Sequence, residues 1–334
     1  MSIKSKKIVC LGGGTGLSVV LSGLKKHPFD LAAVVTMFDN GGSSGKLRKE
    51  LGVLPPGDLR QCLTSLSPEK DLASFFNYRF KNGTLKGHSL GNLLIAAAEQ
   101  ATGNIEEALG KIAILLKVKE KIIPATLDKA EIRIILNNGK EIIGEEEIIN
   151  YPISSFGVKK IYLKPAAKAN PKAILAIKEA DLLVIGPGKF YTSIIPILLA
   201  KGIKGAILRS SAKKIFICNL TTQSGNTDGF KVEDFTLKLE ECLGKNIIDY
   251  VIFNTGGLAK DLIREVQKVF PGAEIVQYGP ELLKDKKFIG TDLLDRQIKK
   301  QNPADILVKG ANKRTMLFHD ADKLAKIILN LCKL

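Results

Sequence analysis

Short apolar runs that end in glycine or polar residues alternate along this chain with longer segments whose apolar residues recur at helical spacing. An unbroken apolar run of strand length marks a strand buried on both faces, as in a parallel sheet. The pattern predicts strands over Lys7–Leu11, Leu31–Met37, Asp181–Ile185, Ile215–Asn219, Asp249–Asn254 and Glu274–Val276, with a short extended piece at Ile122–Thr126. It predicts helices over Leu17–Lys26, Leu47–Leu51, Asp58–Leu66, Asp71–Phe80, Asn92–Thr102, Ile105–Lys117, Pro171–Ala180, Ser193–Lys201, Val232–Leu243, Ala259–Val269 and Asp320–Leu331. Between Glu131–Leu136 and Glu141–Ile143 stands Asn137-Asn138-Gly139-Lys140, a hairpin signal. The expectation is an α/β fold: a doubly wound, Rossmann-like, mostly parallel sheet in one domain over residues 1–334. A small, partly antiparallel insertion over 118–165 interrupts it.

Polar, glycine-rich motifs fall where strands should meet helices. They read Gly12-Gly13-Gly14-Thr15-Gly16, Asp39-Asn40-Gly41-Gly42-Ser43-Ser44-Gly45, Pro55-Pro56-Gly57-Asp58-Leu59-Arg60, Gly87-His88-Ser89-Leu90-Gly91-Asn92 and Gly186-Pro187-Gly188-Lys189-Phe190-Tyr191-Thr192-Ser193. Glycine lets a backbone turn tightly and approach a ligand closely, and a helix start offers unpaired N–H groups to anions. In doubly wound sheets, ligands lie beyond the carboxyl ends of the strands. Several such turns in one chain point to a large phosphate-bearing ligand held from several sides.

The two commonest glycine signatures are excluded by spacing. The dinucleotide fingerprint starting at Gly12 requires glycine at position 17, which is Leu17. A Walker A motif ending at Gly45-Lys46 requires glycine at position 40 and a hydroxyl residue at 47, where Asn40 and Leu47 stand. Backbone N–H groups of Gly13, Gly14, Thr15, Gly188 and Lys189 are candidates for phosphate. Asp39, Asn40, Ser43 and Ser44 suit a ribose, a diphosphate or a metal–phosphate pair. Asp58 either caps a helix or binds a sugar hydroxyl or metal; Arg60 either pairs with it or binds phosphate. His88, Ser89 and Asn92 precede an apolar helix, and Ser89 as a nucleophile lacks a placed acid–base partner. Tyr191 and Thr192 present hydroxyls after Gly188. Cys218-Asn219-Leu220-Thr221-Thr222-Gln223 ends a strand in amide and hydroxyl groups, with Asn219 and Thr222 as candidates for base or sugar. In each case a satisfied polar turn is the bland alternative.

Composition changes this picture little. The formal net charge is +16, but the lysines are scattered and no nucleic-acid-binding motif is present. Nucleic-acid binding is therefore the weakest of three readings. Five widely spaced cysteines without a CxxC pair fit a reduced compartment. No apolar run spans a membrane and no signal-peptide pattern is seen, so a cytoplasmic location is expected.

The same motifs, in order, together with Ile123-Pro124-Ala125-Thr126-Leu127 and His319-Asp320, resemble the gluconeogenesis factor (YvcK-like) family. That family is similar in fold to 2-phospho-L-lactate transferase (CofD-like), which joins a nucleotide-activated phospholactate to a deazaflavin. The resemblance implies a role in cell-shape maintenance and gluconeogenic growth. It also implies UDP-sugar binding, notably UDP-N-acetylglucosamine, with no established reaction. Regulatory protein partners in cell-wall synthesis, a divalent metal and homo-oligomerisation stay open. The rival reading is a phospholactate-type transferase. The chain departs from the family pattern in several places. Asn40 replaces a second acidic residue, which weakens a metal site centred on Asp39. Lys189 stands where serine is usual and Ile197 where asparagine is. Gln223-Ser224-Gly225-Asn226-Thr227 replaces Gln-Pro-Gly-Glu-Thr. Phe318 stands where arginine often precedes the His-Asp pair, with Arg314 a nearby substitute.

Overall fold

A computed structural model describes residues 5–258, 263–264, 266–267, 272–296 and 317–333. The first strand, β1 (Lys7–Gly12), is buried from Ile8 onward and runs into helix α1 (Gly14–Leu24). Next come β2 (Asp30–Val35), α2 (Gly42–Leu51), α3 (Pro56–Leu66), α4 (Lys70–Asn77), α5 (Leu90–Thr102), α6 (Ile105–Leu115) and β3 (Lys121–Pro124). Strands β4 (Glu131–Leu136), β5 (Glu141–Ile143) and β6 (Val158–Lys164) enclose two short helices, α7 (Gly144–Asn150) and α8 (Ile153–Phe156). The second half holds α9 (Pro171–Glu179), β7 (Leu182–Ile185), a π-helical turn at Phe190–Ile194 leading into α10 (Ile195–Leu199), α11 (Ile203–Arg209) and β8 (Lys213–Ile217). After these lie α12 (Val232–Leu243), β9 (Tyr250–Asn254), β10 (Phe288–Thr291) and a last helix, Ala321–Lys333.

The main sheet has seven parallel strands in the order β10-β9-β8-β7-β1-β2-β3. From β1 the chain builds outward through β2 to β3, then returns to lay β7 on the other side of β1. The loops after β1 and β7 therefore leave the sheet in opposite directions, which opens a crevice at this reversal. One apolar core packs on each face of the sheet. One contains Val9, Leu11 and Phe216 and continues into the insertion through Ile132 and Ile134. The other contains Ile8, Cys10 and Ile215 and takes in α1, α3 and the last helix. Cys10, Cys62 and Cys218 are buried within these layers, and all five cysteines are free thiols.

Several boundaries differ from the pattern-based expectation. Helix α1 starts three residues earlier than Leu17, inside the glycine turn itself. Helix α2 likewise takes in Gly42–Gly45, so half of that motif is a first helical turn rather than a loop. Ile122–Thr126 falls within the expected insertion, but Lys121–Pro124 is the edge strand β3 of the parallel sheet. The three-stranded antiparallel sheet is β5-β4-β6, and its hairpin register pairs Ile135 with Glu141 across the Asn-Gly turn. Ile275 makes a single bridge to Thr221 rather than a strand over Glu274–Val276. The edge strand is instead Phe288–Thr291, where one apolar pair lies between lysines and a glycine and gives no alternating signal. The helix expected over Ala259–Val269, and Arg314, lie largely or wholly outside the described residues.

Candidate functional site

A cavity of about 750 Å³ lies over the crevice between β1 and β7. The motifs predicted from spacing converge there. Gly13, Gly14 and Thr15 after β1, Asp39, Ser43 and Ser44 at the start of α2, and Asp58 and Arg60 on α3 all line it. So do Asn92 on α5, Gly188 and Lys189 after β7, and Asn219 and Thr222 after β8. The turns after β1 and β7 touch directly: a Cβ at Gly16 would stand 2.3 Å from the Pro187 carbonyl oxygen. Only glycine allows that approach, which holds the floor of the crevice together.

The site is a hydrogen-bonded framework before any ligand arrives. Arg60 is buried and donates from Nε to Asn92 Oδ1 at 2.8 Å; its Nη1 also donates to Asn77. Asn92 Nδ2 in turn donates to Ser43 Oγ at 3.1 Å. Ser43 Oγ lies 3.0 Å from His88 Nδ1, and burial pushes His88 below its ordinary value, which favours the neutral ring as acceptor of the hydroxyl proton. Ser44 Oγ accepts from Gly57 N–H at 3.1 Å, and Thr15 Oγ1 donates to Gln61 Oε1 at 2.9 Å.

One carboxylate, that of Asp58, occupies an anion position that the sequence left for phosphate, and a second, that of Asp39, closes its own turn. Asp39 accepts the Gly41 N–H at 2.9 Å, and Asp58 accepts the Gly14 N–H. Burial raises both acids, and the charge of Glu145 raises them further; Asp58 is pushed up to about 7 and Asp39 well above its usual range. Lys189 opposes the shift at both, and Arg60 opposes it at Asp58. On the other wall, Gly188 N–H donates to Asn219 Oδ1 at 3.4 Å while Asn219 Nδ2 donates to Gly188 O at 2.8 Å. The amides of Gly14 and Gly188 are thus already engaged within the protein.

Asn40, His88, Ser89, Tyr191 and Thr192 stand behind the cavity wall rather than on it. Ser89 is the N-cap of α5 and accepts from Asn92 N–H. Tyr191 packs edge-on against Phe190. Asn40 Oδ1 accepts from Glu146 N–H at 2.9 Å and so ties the β2 loop to α7. Thr222 lines the cavity but also clamps the chain, with its N–H donating to Glu274 O and its Oγ1 accepting from Glu274 N–H. Pattern reading missed Glu145, Arg79, Gln61 and Tyr151 on the cavity wall. Glu145 is 5% exposed and accepts from Lys189 Nζ at 3.1 Å and from Thr192 Oγ1 at 3.3 Å. In the sequence it is the first of three glutamates at a helix start, a pattern that normally reads as a solvated first turn. His319 was noted only as part of a motif. It is buried against Cys218 O at 3.2 Å, and burial lowers it to about 4.

A parallel sheet wound in both directions from β1, with a polar cavity at the reversal, defines a doubly wound, Rossmann-like α/β protein. The family model described as 2-phospho-L-lactate transferase CofD matches residues 8–290. A "Gluconeogenesis factor" of Bacillus subtilis (strain 168) is 36% identical over 330 residues, covering 98% of each chain. The "Gluconeogenesis factor" of Halalkalibacterium halodurans is 42% identical over 253 residues, covering 75% of this chain and 78% of its own. A crystal structure of a UPF0052 family member from Bacillus halodurans superposes with a TM-score of 0.87 at 36% identity, covering 98% of this chain and 100% of that one. The chain belongs to the CofD family, among its gluconeogenesis factors. Among the described residues no helix is long and apolar enough to cross a membrane.

Proposed function

We propose that this chain is a nucleotide-sugar-binding regulatory factor, with UDP-N-acetylglucosamine as its ligand and no turnover of its own. It would act in cell-shape maintenance during growth on gluconeogenic carbon sources. The observation that carries the reading is the cavity itself. Its volume of about 750 Å³ falls in the range of roughly 300–1,000 Å³ typical of ligand sites. It sits where doubly wound proteins place a nucleotide. Its walls combine cations (Arg60, Arg79 and Lys189) with hydroxyl and amide groups (Ser43, Thr15 and Asn219), the mixture that a diphosphate joined to sugars and a base requires. The relatives named for gluconeogenesis support the part of the proposal that concerns growth on gluconeogenic carbon sources. Isothermal titration with UDP-N-acetylglucosamine is the test: saturable heat is expected, and neither heat nor a thermal shift would sink it.

A second reading, a transferase of the phospholactate type, is favoured by one observation. Asp39 and Asp58 face the same cavity as buried, incompletely compensated acids. Two carboxylates plus ligand phosphates are what a magnesium-type ion takes. Among the described residues no three acidic, histidine or cysteine side chains converge to hold a metal alone. A cation would therefore be held by Asp39 and Asp58 and completed by the ligand, where it would neutralise phosphate charge. Incubation with a nucleotide-activated phospholactate, a deazaflavin and magnesium discriminates, because coupled product would replace the regulatory reading with this one.

A further inference from the structure

Glu145 lines the cavity, and the proposed function does not use it. It is delivered from the antiparallel insertion rather than from the parallel sheet. Its helix is held firmly in place. Gly144 adopts φ +81°, and a Cβ there would lie 2.1 Å from Asn40 Nδ2. The Glu146 N–H donates to Asn40 Oδ1. On the far end, Asn226 Nδ2 donates to Ile148 O at 3.0 Å and to Tyr151 O at 3.2 Å. The carboxylate is therefore set against Lys189 and Thr192 by design of the backbone, not by chance of a long side chain. Lys189 lines the cavity and its side chain keeps 35% of its surface exposed, so an anion in the cavity can reach it.

We propose that Glu145 is a built-in competitor for the anion position at Lys189, which makes the cavity selective against small free anions. The inference rests on the reading of this cavity as an anion-accepting ligand site. A phosphate oxygen in the cavity competes with the Glu145 carboxylate for the Lys189 ammonium. An inorganic phosphate that displaces Glu145 leaves a buried carboxylate facing Asp39 and Asp58 with its lysine partner removed, which is unfavourable. It gains nothing elsewhere to offset that. A ligand that also reaches Arg60, Asn219 and the turns after β1 and β7 recovers the cost through its other contacts. Glu145 thereby sets a threshold that depends on ligand size. The alternative is that the ion pair only docks α7.

The test is titration of inorganic pyrophosphate into the wild-type chain, Glu145→Gln, Glu145→Ala and the double variant Glu145→Gln/Lys189→Ser, with UDP-N-acetylglucosamine titrated in parallel. Both single variants should bind pyrophosphate at least about tenfold more tightly than wild type, and the double variant should lose that gain. A purely docking role predicts lower thermal stability in the single variants with no gain in pyrophosphate affinity, and that result overturns the proposal. Glu145→Ala serves as the second variant should the glutamine disturb folding, because it removes the carboxylate without adding a buried amide. The parallel titration separates the two ideas. A pyrophosphate gain without UDP-N-acetylglucosamine binding keeps the role of Glu145 and discards the sugar nucleotide.

Discussion

The cavity has two walls made by different means. One wall is the set of turns at the carboxyl ends of β1, β2, β7 and β8, fixed by the hydrogen-bonded register of the sheet. The other is α7 and the residues after it, carried on a small antiparallel sheet and fastened by the side chains of Asn40 and Asn226. The first wall places backbone atoms and is intolerant of added bulk. The second places one charged side chain, and each of its fastenings is a single hydrogen-bonding group. The difference separates a part of the site that defines the fold from a part that can tune ligand choice without touching the fold.

Breaking the first wall should have the largest effect. Gly16→Ala drives a Cβ into the Pro187 carbonyl, and overpacking of this kind costs about 1–3 kcal/mol. A lower urea midpoint with an unchanged slope, together with loss of ligand heat, is the expected outcome. Next is Asp58, the buried acid on α3 that faces the turn after β1. The folded protein holds the Asp58 proton up to about pH 7, against 3.8 for the ordinary group. The raised value means that stability is favoured below the folded value and is lost as pH rises from near 4 through about 7. Asp58→Asn should therefore raise the melting temperature most at pH 8, where the gain in stability is on the order of 4 kcal/mol, and little at pH 4. A uniform shift across the pH range would show that Asp58 is not the group responsible.

The second wall should respond more locally. Asn226→Ala leaves the Ile148 and Tyr151 carbonyls without their donor, a loss of about 1–2 kcal/mol. Hydrogen exchange should quicken across Gly144–Asn150 while β1 and β7 stay protected. Equal loosening of both walls would show that they are one unit. The smallest effect is expected from His88→Ala, which removes the acceptor for Ser43 behind the cavity. It should lower stability by about 1 kcal/mol and leave ligand affinity unchanged; a clear loss of affinity in titration would place His88 in the binding surface.

The first wall was legible in the sequence because its signals are local. An apolar run followed by Gly12–Gly16, or by Gly186–Gly188, announces a buried strand and a tight exit, and the order of such units implies the parallel sheet. The residues behind the wall could not be sorted from those on it. Asn40, Ser89 and Tyr191 share motifs with cavity residues, and a one-residue change of direction decides which way each faces. The second wall was hidden for a different reason. Glu145, Glu146 and Glu147 are chemically identical neighbours, and only the packing of α7 against the π-helical turn buries the first of them. The edge strand β10 was missed because an edge position needs few apolar residues, and β3 was misplaced because parallel pairing to β2 is a long-range fact that Ile122–Ile123 cannot signal alone.

On the proposed function, the two walls close on one sugar-nucleotide site over the reversal between β1 and β7. A crystal structure of the chain with UDP-N-acetylglucosamine tests it most directly. The diphosphate should lie between the turns after β1 and β7, within reach of Arg60 and Lys189, with Glu145 displaced from Lys189. Ligand density elsewhere on the surface, or a crevice left empty at saturating ligand, would contradict it.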